Sequence, residues 1–304
     1  MSDIDLSSAG FRGVVIQKNN GFYRLATESG ERICSLSNHL RKGGDVELVV
    51  GDEVVFDAAN QVTALLPRRN WISRRAAAHT CEQLIAANID QIVPVFAAAN
   101  PRPAWHLLDR YLVSAEAAEI PALVCITKLD LVAGRGEVNE IEQVAAEYRA
   151  IGYPVLLTST ASGEGVDDFR TVLRGRRSLL VGKSGVGKTS LLNALEPGLG
   201  LRVQETNSVT GKGRHTTTSA TLFPLDQGGA IIDTPGIREF GLWNVDGADL
   251  AYFFPELRPY LGKCRFGMDC RHQDEPGCAV RRAVTAGQIS PYRYQSYLKL
   301  RLDP

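Results

Sequence analysis

Gly182, Gly187, Lys188 and Thr189 stand at the spacing G-x-x-x-x-G-K-[ST]. Around them Ser178-Leu-Leu-Val-Gly-Lys-Ser-Gly-Val-Gly-Lys-Thr-Ser190 runs from an apolar segment through small residues into the helix-like Ser190-Leu-Leu-Asn-Ala-Leu. The pattern predicts a phosphate-binding loop between a strand and a helix. Glycines let the backbone curl until successive N–H groups converge on an anion, and the following helix turns its positive end to the same point. Gly182, Lys183, Ser184, Gly185, Val186, Gly187, Lys188, Thr189 and Ser190 are therefore the expected cradle. Lys188 would bridge the β- and γ-phosphates, and the Thr189 hydroxyl would meet a Mg²⁺ ion that shares the charge of the transferred phosphoryl group. A glycine-rich turn without a ligand is the bland alternative, and the complete motif in its strand and helix setting argues against it.

Beyond this loop come the polar, glycine-punctuated Gly211-Lys-Gly-Arg-His-Thr-Thr-Thr218 and then Ala230-Ile-Ile-Asp-Thr-Pro-Gly236. An aspartate ending an apolar strand at this distance can hold Mg²⁺ through water, and a glycine after it can offer its N–H to the γ-phosphate, so Asp233 and Gly236 take those roles. Asp-Thr-Pro-Gly alone would be an ordinary turn. Upstream, short apolar runs alternate with amphipathic stretches from Ile92 to Leu157, a βαβ rhythm that implies a parallel sheet under helices. Ligands of such sheets bind at the carboxyl ends of strands. Thr127-Lys-Leu-Asp130 and Ser159-Thr-Ala-Ser-Gly-Glu-Gly165 both fall there.

A second constellation is Cys264-x5-Cys270-x-His272-x5-Cys278, whose four soft donors suit a Cys₃His zinc site. With every position filled by protein such a metal is structural. Free thiols beside an unrelated histidine are the alternative. Arg265, Arg271, Arg281 and Arg282 surround the cluster, suited to RNA phosphate or to a solvated surface.

The elements that must carry these groups differ along the chain. Phe11 to Leu66 reads as short β-rich runs: Val14-Val-Ile, Phe22-Tyr-Arg-Leu, Arg32-Ile-Cys, Val46-Glu-Leu-Val-Val, Glu53-Val-Val-Phe and Val62-Thr-Ala-Leu-Leu. Asn19-Asn-Gly and Gly43-Gly-Asp bend the chain between them. About five strands and no helix of any length suit an OB-fold barrel. Such barrels often bind RNA, but acidic residues outnumber basic ones here, so a structural barrel fits as well. Arg68-Arg-Asn-Trp-Ile-Ser-Arg-Arg has neither strand nor helix periodicity and reads as a basic linker. A base-stacking, phosphate-tracking contact and a solvated linker suit it equally. The expected division is 1–67 barrel, 68–85 linker, 86–243 nucleotide-binding α/β domain and 244–304 mainly α zinc-binding domain.

The chain has 304 residues, with 34 basic against 34 acidic, so its overall field draws no nucleic acid and any such contact must be local. No apolar run reaches membrane-spanning length, and the polar start is unlike a secretory signal, so a cytoplasmic protein without a membrane partner is expected. Six cysteines, three of them scattered singles, do not form a disulfide framework.

Taken together these residues resemble the translation-factor class of GTPases, with a phosphate loop, a switch threonine in His215-Thr-Thr-Thr218, Asp-x-x-Gly, a base-reading [NT]-K-x-D and a supporting S-A-x loop. The order is unusual, because Thr127-Lys-Leu-Asp130 and Ser159-Thr160-Ala161 precede Lys188. The chain is therefore identified as a circularly permuted GTPase. Resemblance implies that Asp130 accepts hydrogen bonds from guanine, that Lys128 lies along the base or braces the phosphate loop, and that Thr127 replaces an asparagine and loses one amide contact. Ile237 stands where many GTPases keep a water-orienting glutamine, which turns attention to His215 as the group that positions water; a loop histidine without a catalytic part is the other reading. Thr217 is the threonine chosen for Mg²⁺.

Barrel, permuted GTPase and Cys₃His module in this order closely resemble the bacterial ribosome small-subunit-dependent GTPase A family. That resemblance implies a protein, expected to be a monomer, that binds the 30S subunit and its 16S rRNA late in maturation, hydrolyses GTP to GDP with ribosome stimulation, and leaves. A GTP-dependent adaptor that scarcely hydrolyses is a second reading, supported by Ile237. An ATP-using phosphotransferase is a third, and Asp130 argues against it.

Overall fold

A computed structural model describes residues 10–42, 46–75, 82–134, 136–199, 220–234, 245, 247 and 249–302. At the amino-terminal end β1 (Phe11–Asn19), β2 (Phe22–Thr27) and β3 (Gly30–Leu36) form a meander. α1 (Asn38–Lys42) follows, and β4 (Glu53–Phe56) and β5 (Gln61–Leu65) complete the order β1-β2-β3-β5-β4. β4 pairs back onto β1 from Phe11↔Phe56 to Val14↔Glu53, which closes the barrel. Strand alternation turns Val15, Tyr23, Leu25, Val54, Phe56 and Val62 into its interior.

Two expectations are corrected here. Val46-Glu-Leu-Val-Val does not form a strand. The Asp52 carboxylate takes the Val49 N–H at 2.8 Å and Gly51 turns the chain at φ +92°, so Val50 is left with one isolated bridge to Ala86. The stretch read as a linker contains β6 (Trp71–Arg75), which pairs antiparallel with β7 (Glu82–Ala87). Its period was hidden because most of the ladder's buried side chains come from β7. Its first arginines are also occupied within the fold. Arg68 forms a two-pronged pair with buried Asp52, at 2.7 and 2.8 Å, and Arg69 reaches Asp90 at 2.9 Å.

The central sheet is built from β8 (Gln91–Ala97), β9 (Val124–Thr127), β10 (Val155–Leu157), β11 (Arg177–Val181), β12 (Thr221–Pro224) and β13 (Ala230–Asp233), in the order β10-β9-β8-β11-β13-β12. Only β12 runs antiparallel to its neighbour. Gln17 of β1 pairs with Thr221 of β12, so barrel and central sheet form one continuous 11-stranded sheet. β8 is buried along its whole length, as a strand covered on both faces must be. Ile92 and Phe96 pack on one side with α2 (Trp105–Ala117) and α3 (Glu137–Ile151). Val93, Val95 and Ala97 pack on the other with α4 (Val166–Leu173) and α5 (Lys188–Leu195).

The last unit has little regular structure before α6 (Ala279–Thr285) and α7 (Pro291–Leu302). Its core gathers Leu250, Phe254, Leu257, Val280, Ile289 and Tyr297 around the cysteines, and Val113 of α2 joins that cluster. Among the described residues no helix is long and apolar enough to cross a membrane.

Candidate nucleotide site and Cys-His cluster

The parallel strands end on one edge, and the loops that leave that edge bring together Thr127, Lys128, Asp130, Ser159, the 182–187 loop, Lys188 and Asp233. Gly182 follows β11 at φ +153°, and a Cβ there would strike the Val95 carbonyl oxygen, so only glycine lets the chain pass this close to β8. Gly187 has φ +99° and leads into α5, whose first turn carries Lys188, Thr189 and Ser190. Lys188 folds back across the loop and donates to the carbonyls of Gly182 at 2.6 Å and Lys183 at 3.0 Å. Burial lowers its pKa, and the nearby Asp233 charge works against that shift.

The Thr127 hydroxyl lies against the carbonyl oxygens of Val186 and, at 3.2 Å, Phe96, so it ties the phosphate loop to the end of β8. Lys128 has left-handed backbone at φ +58°, which swings its side chain toward the loop. Its ammonium donates to Gly185 O at 2.6 Å and also to Asn100 O. Burial lowers the pKa of Lys128, with Asp130 opposing. Asp130 follows in a single helical turn, and the buried Ser159 hydroxyl donates to its Oδ1 at 2.5 Å while accepting the Ser162 N–H at 3.2 Å. Thr160 and Ala161 continue that tight turn, closed by Gly163 N–H to Ser159 O at 2.9 Å. Asn100 was missed in the sequence. It contributes only a backbone carbonyl, and its one sequence signal is a turn-forming Asn-Pro pair.

Asp233 ends β13 with Oδ1 buried and no hydrogen-bond partner among the described residues. Burial raises its pKa, opposed by the Lys188 charge and by the Thr234 N–H. His215, Thr217 and Gly236 lie outside the described residues.

Cys264, Cys270, His272 and Cys278 converge, with one donor atom of each within 4.8 Å of all the others. Cys264 Sγ is 3.8 Å from Cys278 Sγ, and both sulfurs are 3.5 Å from His272 Nδ1. All four residues are buried, and the group could hold a metal ion. Backbone N–H groups of Ala279, at 3.2 Å, and Arg281, at 3.5 Å, point at the sulfurs of Cys264 and Cys278, the arrangement a thiolate needs. Helix α7 fixes the intervening loop: Tyr294 donates to His272 O at 2.6 Å, Tyr297 to Arg271 O at 3.0 Å, and Arg301 to the same oxygen at 2.8 Å.

Comparison with known proteins agrees with this arrangement. A family model described as RsgA GTPase matches residues 65–243. A protein of Gemmatimonas aurantiaca named "Small ribosomal subunit biogenesis GTPase RsgA" is 46% identical, covering 95% of this chain and 96% of its own. A Sodalis glossinidius protein of the same name is 41% identical over 95% of this chain and 84% of its own. Among solved structures, YjeQ from Thermotoga maritima superposes with a TM-score of 0.79 at 29% identity, covering 97% of this chain and 98% of that one. YloQ, whose title calls it a circularly permuted GTPase, gives 0.75 at 30% identity over 99% and 97%. The phosphate loop, the permuted strand order and these likenesses over almost the whole length converge, and the chain belongs to the RsgA GTPase family.

Proposed function

We propose that this chain hydrolyses GTP to GDP and phosphate while bound to the small (30S) ribosomal subunit late in its maturation, with the subunit stimulating hydrolysis and hydrolysis timing release. The observation that carries this reading is the bridging of the 127–130 loop to the phosphate loop, through Thr127 to Val186 and Lys128 to Gly185, in a chain whose relatives are named for small-subunit biogenesis. A base-reading loop so braced sets base and phosphates at a fixed separation.

Asp130 then accepts from the ring N–H and exocyclic amine of guanine, a pair of donors adenine lacks, and Ser159 holds the carboxylate in place. The Ser159-Thr160-Ala161 turn lies beside the base. Loop N–H groups from Lys183 to Ser190 take the phosphates, and Lys188 exchanges the carbonyls of Gly182 and Lys183 for phosphate oxygens. The buried Oδ1 of Asp233, without a partner among the described residues, suits a Mg²⁺ site approached through water, with Thr189 and Thr217 as hydroxyl ligands. The ion would neutralise charge on the phosphate oxygens. Gly236 offers its N–H to the γ-phosphate, and His215 positions the attacking water.

The Cys264, Cys270, His272 and Cys278 donors fit zinc. Ordinary Zn–S and Zn–N bonds in a tetrahedron put two sulfurs about 3.8 Å apart and sulfur about 3.6 Å from nitrogen. The separations of 3.8 and 3.5 Å match both. A zinc ion held by four protein donors would serve structure alone.

Contact with 16S rRNA is assigned to the barrel and the zinc module. Phe22 and Ile33 are more than half exposed on the barrel, and Arg24 lies directly across from Ile33 in the ladder. Phe266 is exposed on the zinc module, with Arg265 over its ring. The protein acts as a cytoplasmic monomer in this reading. The test is phosphate release from GTP with and without purified 30S subunits, with ATP as control substrate. Stimulation confined to GTP supports the timer; equal slow rates with and without 30S reduce the chain to a nucleotide-gated binder.

A further inference from the structure

A cavity of about 240 Å³ lies where α2, α3 and α7 meet, lined by none of the nucleotide-loop residues. Trp105, which opens α2, and Tyr292 of α7 both line it, while α3 supplies Glu140, Gln143, Glu147 and Tyr148. The α3 residues recur at helical spacing, so one face of that helix presents both carboxylates to the same space. Tyr292 is 42% exposed, and Tyr148 is buried in the cavity wall. Three aromatic rings with two carboxylates form a receptor for a cation, because ring faces and carboxylates both attract positive charge and the half-open groove removes part of its water.

The protein's own charges do not fill it. Among the described residues neither Glu140 nor Glu147 pairs with a cation, and Glu147 only accepts from Ser290 Oγ, at 3.2 Å. The guanidinium of Arg293, over the Tyr148 ring, is already taken by Asp109 and Glu256. The site therefore keeps an excess of negative charge that repels nucleic-acid phosphate.

We propose that this cavity receives a lysine or arginine side chain presented by a basic protein segment. That the segment belongs to a protein of the small subunit rests on the function proposed above; the receptor itself does not. Its position is also informative, since Trp105 follows the turn whose Asn100 carbonyl holds Lys128 of the base-reading loop. A partner seated here touches the helix that begins beside the nucleotide.

The first experiment uses the full chain with Trp71→Phe and Trp243→Phe, leaving Trp105 as the single indole, titrated with acetyl-tetra-arginine amide and with its citrulline counterpart. Citrulline keeps the shape and lacks the charge. Saturable change in Trp105 fluorescence with arginine alone, weakened about tenfold or more by Glu140→Gln/Glu147→Gln, is the expected result. Equal responses to both peptides, no saturation, or no effect of the double variant overturns the receptor. The second places a photocrosslinking amino acid at Gln143 in a protein verified to retain nucleotide binding and mixes it with purified 30S subunits. A crosslink to a Lys- or Arg-rich stretch of a subunit protein is expected, and crosslinks to 16S rRNA alone overturn the protein partner. A peptide response in a protein that fails to bind 30S leaves the receptor standing and sinks the ribosomal reading instead.

Discussion

The guanidinium of Arg293, in α7, is held against the carboxylate of Asp109, in α2, and the two side chains are 1% and 0% exposed. Glu256 takes the same guanidinium at 2.6 Å, Tyr148 donates to Asp109 at 2.6 Å, and the Phe254 ring lies 4.6 Å beneath the charge. This network joins the C-terminal unit to the GTPase helices, where an apolar contact alone would let them slide. Removing one partner leaves buried carboxylates without a cation, so Arg293→Met should cost about 3–5 kcal/mol in urea unfolding. Adding Asp109→Asn should recover part of it, since one stranded charge is gone. A loss below about 1 kcal/mol would mean that water reaches the pair.

Thr127 stands where the GTPase resemblance leads one to expect asparagine, yet its hydroxyl still reaches the phosphate loop. Thr127→Val keeps the shape and removes that link, leaving the Val186 carbonyl without this donor. GDP and GTP affinity should both fall about fivefold, from roughly 1 kcal/mol of lost bracing, with turnover at saturation nearly unchanged. Isothermal titration with both nucleotides checks this, and an unchanged Kd would assign the loop's position to Lys128 alone.

Burial raises the pKa of Asp233, so this carboxyl keeps its proton to a higher pH than ordinary carboxylates do. The direction of the effect follows. A raised pKa favours the protonated form as pH falls, the neutral acid holds Mg²⁺ poorly, and Mg²⁺-dependent GTP binding should weaken on acidification at a higher pH than an ordinary carboxylate ligand would allow. Folding responds in the opposite sense: the native state binds this proton more tightly than the unfolded chain, so the Asp233 contribution to stability rises as pH falls through its raised folded-state pKa. Asp233→Asn should weaken Mg²⁺-dependent binding and flatten its pH profile. A profile that keeps its slope in the variant would trace the pH effect to another group.

His215 is the residue assigned to the attacking water, since Ile237 cannot orient it. His215→Ala should leave nucleotide binding within a few-fold and lower turnover by about 10²-fold or more, whereas Lys188→Ala should abolish tight binding outright. Stopped-flow binding and single-turnover hydrolysis separate the two steps. Normal turnover without the imidazole removes it from the mechanism.

What could be read from the sequence was what short-range chemistry dictates. The phosphate loop announces itself because backbone curling and phosphate contact are confined to eight consecutive positions, Gly182 to Thr189. The donors from Cys264 to Cys278 converge because fifteen residues of chain can close on one point. The barrel was legible from alternation, but β6 was not: Trp71-Ile-Ser carries one buried residue, and the pattern completes only against β7. Ion pairs were invisible for the same reason. Arg68 and Asp52 are sixteen positions apart, and composition gave no hint that Arg68 is turned onto a buried carboxylate. The Gln17↔Thr221 pairing, which joins barrel and central sheet, spans most of the chain and leaves no local trace.

The Cys-His cluster is the joint of the C-terminal unit, so removing its metal should have a bounded effect. Cys278 caps α6 through its sulfur, and α7 reaches the cluster loop through Tyr294, Tyr297 and Arg301. Without an ion two of the thiols hold their protons firmly, since burial raises Cys278 and pushes Cys270 up to about 12, whereas at Cys264 burial is outweighed by the Ala279 N–H and neighbouring donors and the pKa is lowered. Stripping zinc at neutral pH should therefore take up protons and free both helices from the loop. The nucleotide edge lies on the far loops of the central sheet and makes no use of these donors. Chelation should release about one zinc per chain. Amide exchange should then quicken through 264–302, while GTP affinity changes by less than about threefold. Protection that survives chelation would show that the Arg293 network, not the metal, holds this unit together.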